Sequence, residues 1–167
     1  MSKKPQFTWD EESGICSCAI ILDDILHGFG IAQCAPEDND VISERVGMHI
    51  AELRAQINLL QNFKNYELRP GLKVLKHLRS TMINSKQHDS ESYERKRLNI
   101  EIRNTEKDIA DINNAINQVK QNLYDYINLQ ERITQRIRSG DNSGYKDEDS
   151  EMLQKDIDIY EKVIKDA

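Results

Sequence analysis

Three cysteines, Cys16, Cys18 and Cys34, lie close together with His27 among them. Thiolates and imidazole are zinc ligands, and a strand register that set Cys34 opposite Cys16 would gather all four side chains. The paired C-x-x-C spacing of common zinc folds is missing, and no arrangement that would activate a catalytic thiol can be read around them. The cysteines therefore read as small buried hydrophobes, reduced and without metal. A second constellation is Asp38, Asp40, Glu44, His49 and Glu52. Asp40 and Glu44 stand four apart and His49 and Glu52 three apart, so each pair shares a helix face. A metal-dependent hydrolase needs such a carboxylate and histidine set, but helix capping and a solvated face account for the same residues. No H-E-x-x-H, G-x-S-x-G or P-loop pattern occurs elsewhere. The expectation is a protein that is not an enzyme and has no cofactor, with the hydrolase kept as an alternative.

The third constellation is basic. Lys73, Lys76, Arg79 and Lys86 precede a polar segment, and Arg95, Lys96 and Arg97 follow it. If the chain reverses there, these cations converge on a patch able to grip phosphate or an acidic partner. Phe63, Tyr66, His77 and Tyr93 lie nearby as planes for stacking or packing. The candidate ligand set is Arg45, Arg54, Lys73, Lys76, Arg79, Arg95 and Arg97, with Tyr93 or Phe29 as the stacking face. An ordinary solvated helix surface is the plain alternative.

The elements that would position these groups are legible from periodicity. Ile15–Leu22 and Gly28–Cys34 are strand material around Asp23 and Asp24, with Phe7-Thr8-Trp9 a third strand behind the turn Glu12-Ser13-Gly14. Gly28 and Gly30 leave one face bare for a close approach by a helix, a strand or a ligand. After Pro36 a helix is predicted from near Val41, with Val46, Ile50, Leu53, Ile57 and Leu60 at heptad spacing. Pro70 predicts a kink or break before Leu72, Leu75, Leu78 and Met82 resume in a shifted phase. Ser85–Ser90 is the tip of a hairpin. The next helix carries Leu98, Ile102, Thr105, Ile109, Ile112, Ile116, Val119, Leu123, Tyr126, Gln130, Ile133 and Ile137 in unbroken four-three spacing.

Residues 1–40 thus form a small antiparallel β-hairpin segment and 41–138 a long antiparallel helical hairpin. Residues 139–147 form a flexible link, and 148–167 a short acidic amphipathic helix marked by Leu153, Ile157, Tyr160 and Ile164. The fold class is mainly α. So long an apolar seam needs partners along its length, and an Ile-rich one favours more than two strands. A homodimer packed as a helical bundle is expected, with Ile102, Ile109, Ile112, Ile116, Val119, Leu123, Ile133 and Ile137 in the oligomer interface and the β-segments paired or swapped at one end.

Composition agrees with an elongated helical protein. Of 167 residues, 38% are hydrophobic and 31% charged, too few apolar side chains for a thick core. The net charge of −6 divides unevenly, with acidic ends around a mildly basic middle. That balance disfavours general DNA binding, which rests on neutralising many phosphates. No apolar run reads as a signal peptide or membrane span, so a cytoplasmic location without membrane contact is expected.

The run Gly28-Phe29-Gly30-Ile31-Ala32-Gln33-Cys34-Ala35-Pro36-Glu37-Asp38, with Ser43–Gly47 and Ile50–Ala55, resembles a set of small phage and prophage proteins of Gram-positive bacteria. Leu68–Leu78 and Ser92-Tyr93-Glu94 are similar to the same set, and the likeness covers most of residues 15–137. It implies a phage setting rather than an activity; within that setting the expectation drawn from the oligomeric, non-enzymatic reading is a binding protein that counters host defence. Such a protein would sequester a nucleotide signal, as the Thoeris anti-defence sponges do, or block a host protein. A scaffold or adaptor is the other non-catalytic alternative.

Overall fold

Short alternating segments and a tight turn build the first layer. Asp10 accepts hydrogen bonds from the Glu12 amide at 3.2 Å and from the Ser13 hydroxyl, and Gly14 takes the left-handed conformation (φ 63°) that a side chain would resist. This turn joins β1 (Gln6–Asp10) to β2 (Ile15–Ile21), and β3 (His27–Gln33) completes a three-stranded antiparallel sheet in the order β1-β2-β3. The computed structural model describes residues 4–22, 26–33, 44–84 and 93–139. Val41, the Ser85–Ser90 tip, the link after Ser139 and the helix expected over 148–167 lie outside the described residues.

One face of the sheet carries Cys16, Cys18, Ile20, Gly28, Gly30 and Ala32, and α1 (Glu44–Asn62) packs on it. The contact is close because both surfaces are small. Gly47, Ala51 and Ala55, four residues apart, form a shallow stripe on the helix; a Cβ added to Gly28 or Gly30 would overlap the carbonyl oxygen of Ala55 or Ala51. Of the three partners that the bare glycine face allowed, a helix takes the place. The core lies here, with Cys16, Ala51 and Ala55 fully buried and Phe7, Trp9, Met48, Ile50 and Leu59 packed around it.

The helix does not end at Pro70. Phe63–Leu68 forms a π turn, in which the Arg69 amide donates to the Lys64 carbonyl five residues back, and α2 (Arg69–Asn84) continues from it. Proline has no N–H and crowds the carbonyl four residues earlier; a locally wider helix absorbs both defects without breaking. The expected kink or break is thus a π turn, and the extra residue changes the phase. Leu72, Leu75, Arg79 and Met82 are half-buried, whereas Leu78, expected in the apolar stripe, is 47% exposed.

α3 (Tyr93–Ser139) has 47 residues, roughly 70 Å of helix. It runs antiparallel to α1 and α2: His49 meets Tyr126, Lys64 bonds Asn113 and Lys76 pairs with Glu106. The sheet and α3 thus both pack on α1, through different faces. Leu98, Ile102, Ile116 and Leu129 are buried by the chain itself. Ile109, Ile112, Val119, Leu123 and Ile133 are only half-buried, and the side chain of Ile137 lies outside the described set. Among the described residues, no helix is long and apolar enough to cross a membrane.

Candidate functional site

The sheet register bears on the cysteines. Cys16 stands opposite Ala32, and Ile15 opposite Gln33, so the register that would face Cys34 to Cys16 is not formed. Cys34 itself lies outside the described residues. His27 pairs with Ile21, five residues along β2 from Cys16 or about 17 Å away, and on the other face of the sheet. Its ring instead leans on Phe29, with centroids 5.1 Å apart. Cys16 and Cys18 are sealed between sheet and helix. Burial, with the Glu52 charge and Cys16 adding to it, pushes the Cys18 thiol up to about 12. A thiol so raised is protonated at neutral pH and a poor nucleophile.

The carboxylate and histidine set does not assemble as one centre among the described residues. His49 packs edge-on against Tyr126 at 4.5 Å, toward α3, while Glu52 lies close enough to Cys18 to act on its thiol. Glu44 is exposed at the start of α1, and Asp38 and Asp40 lie outside the described residues. Among the described residues, no three His, Cys, Asp or Glu side chains group as a metal site.

The nine residues of the candidate ligand set divide among three places. Arg45 lies at the start of α1, roughly 45 Å along the helix from Lys76. Arg54 and Phe29 lie at the sheet, and Lys73, Lys76, Arg79, Tyr93, Arg95 and Arg97 lie toward the tip. No single pocket in one chain can use them all. Several cations also have partners already. Lys76 Nζ lies 2.7 Å from Glu106 Oε1, and that hydrogen bond, together with the Lys76 and Arg79 charges, holds the Glu106 carboxyl below its usual range. Arg97 Nε bonds Glu101 at 3.1 Å one turn on. Tyr93, 79% exposed, and Phe29, 55% exposed, are accessible planes.

Arg54 bridges α1 to the sheet. Its guanidinium donates to the Ile31 carbonyl, Asn58 Oδ1 accepts from the Phe29 amide at 3.1 Å, and Asn62 Nδ2 donates to the His27 carbonyl at 2.8 Å. Arg54, Asn58 and Asn62 are four apart, so they form a polar row on α1 that runs along β3 and satisfies its outer edge. Unpaired strand edges invite another strand, and a helix laid along them is one remedy. Polar residues at that spacing beside the small stripe were the available signal, although the heptad pattern drew attention to another face.

The chain matches no protein-family model, no curated protein and no solved structure.

Several large apolar side chains also reach the surface. The outer face of the sheet presents Ile15, Ala19, Ile21, Phe29 and Ile31, with Phe29 and Ile31 more than half exposed. On the hairpin, Val74 and Leu78 are 58% and 47% exposed beside a seam that α1 and α2 cover only partly.

Proposed function

We propose that the protein is a non-enzymatic, self-assembling binding protein whose helical hairpin is the spine of a homo-oligomeric bundle. The observation that carries this reading is the half-covered seam of α3. Ile109, Ile112, Val119, Leu123 and Ile133 remain partly open after α1 and α2 have packed, with Val74 and Leu78 exposed beside them. Helices of a second copy laid there would shield these side chains at about 25 cal/mol per Å² of apolar surface. Ile102 and Ile116 belong to the intrachain part of the seam, and the outer margin serves the contact between chains.

The setting follows from the resemblance to phage and prophage proteins: countering a host defence by occupying a host factor or holding its signal. The spread of the ligand set over roughly 45 Å weighs against a nucleotide site within one chain. It favours a macromolecular partner, or a site assembled from neighbouring chains in which Tyr93 and Lys73 of one meet cations of another. Sedimentation velocity, followed by calorimetric titration with a panel of linear and cyclic nucleotides, tests the reading. Assembly above one chain is the expected outcome, and a single-chain species at micromolar concentration overturns it. Heat from any nucleotide selects the signal-holding version; no heat directs the search to protein partners.

A further inference from the structure

The two edges of the sheet are treated differently, and backbone alternation identifies what the open one offers. Along β3, His27, Phe29 and Ile31 turn polar backbone groups away from β2 and onto the α1 row of Arg54, Asn58 and Asn62. Gly28, Gly30 and Ala32 must then bond to β2 at Ile20, Cys18 and Cys16. The intervening β2 residues Ile15, Ser17 and Ala19 face the other way and bond to Asp10, Thr8 and Gln6. Phe7 and Trp9 are left with their N–H and C=O groups pointing out of the sheet. Among the described residues, no hydrogen bond covers these groups.

The side chains on this edge are unfinished in the same direction. α1 lies chiefly over β2 and β3 and reaches β1 at Trp9, one ring carbon of which would lie 3.5 Å from a Cβ on Gly47. Phe7 and Trp9 pack against the core yet are only half-buried.

We propose that β1 pairs antiparallel with the β1 of a second copy about Thr8, forming one continuous sheet across a homodimer. The segment Gln6-Phe7-Thr8-Trp9-Asp10 is self-complementary in that register. Phe7 meets Trp9 of the other copy, so all the outward N–H and C=O groups of both strands are bonded and the aromatic rings stand side by side on the α1 face. Gln6 meets Asp10, an amide beside a carboxylate, so no two Asp10 side chains are opposed. Lys4 before the strand lies toward Glu11 and Glu12 after it, opposite in charge. A shift of two residues would set Trp9 against Pro5, which has no N–H and loses a hydrogen bond there, or Phe7 against Glu11. This inference rests on the reading that copies associate, and it adds where they do so.

Thr8 supplies the test because it is exposed and lies on the two-fold axis, in a non-hydrogen-bonded pair whose Cα atoms would be about 4.5 Å apart. Thr8→Lys and Thr8→Glu each oppose like charges, and their mixture opposes unlike ones. The expected result is that each variant alone sediments as a smaller species than the wild type, and that an equimolar mixture regains the wild-type mass. A Thr8→Cys variant, oxidised gently and digested, is expected to yield the β1 peptide linked to itself, since that Cα spacing suits a disulfide. A wild-type assembly whose mass ignores both charged variants, and whose Thr8→Cys variant yields no self-linked peptide, overturns the pairing alone. A wild type that sediments as one chain overturns both the pairing and the bundle.

Discussion

At the scale of single residues, the close seating of α1 on the sheet depends on side chains that are absent. Gly30 faces the backbone of Ala51, so the Gly30→Ala methyl meets a carbonyl oxygen that cannot rotate aside. A loss of about 3 kcal/mol is expected, read as a fall in the urea midpoint with little change in slope. Gly71 is the control, because nothing lies within 4 Å of where its Cβ would be. There the same substitution in a helix is expected to stabilise by roughly 0.5–1 kcal/mol. Cys18 gives a pH signature. Its thiol is raised in the fold from the ordinary 9.0 to about 12, so folding favours the protonated form. The stabilisation is complete below pH 9.0 and is lost as pH rises from there toward about 12. Urea midpoints measured from pH 8 upward are expected to fall more steeply for the wild type than for Cys18→Ala.

At the scale of elements, α1 performs two tasks that its heptad pattern does not reveal. Its small stripe seats the sheet, and its polar row closes the β3 edge. Asn62→Ala removes the donor to the half-buried His27 carbonyl, at an expected cost of about 1–3 kcal/mol by thermal or chemical unfolding. Asn62→Asp, of the same size but with no donor, should recover none of that loss. The π turn before Pro70 belongs to this scale too. An irregularity was legible from the proline, whereas the widened turn, which keeps both α1 and α2 packed on α3, was not.

At the scale of the whole molecule, the proposed association can be tested at the exposed apolar margin of the hairpin, Val74 and Leu78. Val74→Glu with Leu78→Glu changes side chains already exposed in the single chain, so its folding stability should move by no more than about 0.5 kcal/mol. If the hairpins pack through this margin, the double variant sediments at lower mass while its circular dichroism and melting remain near those of the wild type. An unchanged mass would move the contact between chains away from α2.

Much of this organisation was legible along the chain. The unbroken spacing from Leu98 to Ile133, the strands flanking Gly14, the antiparallel return of the helices and the bare face at Gly28 and Gly30 are local or periodic patterns. Repeated spacing determines element type because it records which side of a helix or strand must leave water. The tertiary structure alone decided which surfaces meet. It set Cys16 against Ala32, brought Gly47, Ala51 and Ala55 onto the sheet, assigned Arg54 to a strand edge and separated Arg45 from Lys76. Those choices depend on close approach between segments distant in sequence. Periodicity leaves such alternatives nearly equal until backbones come into contact, when a missing Cβ or one satisfied carbonyl selects among them.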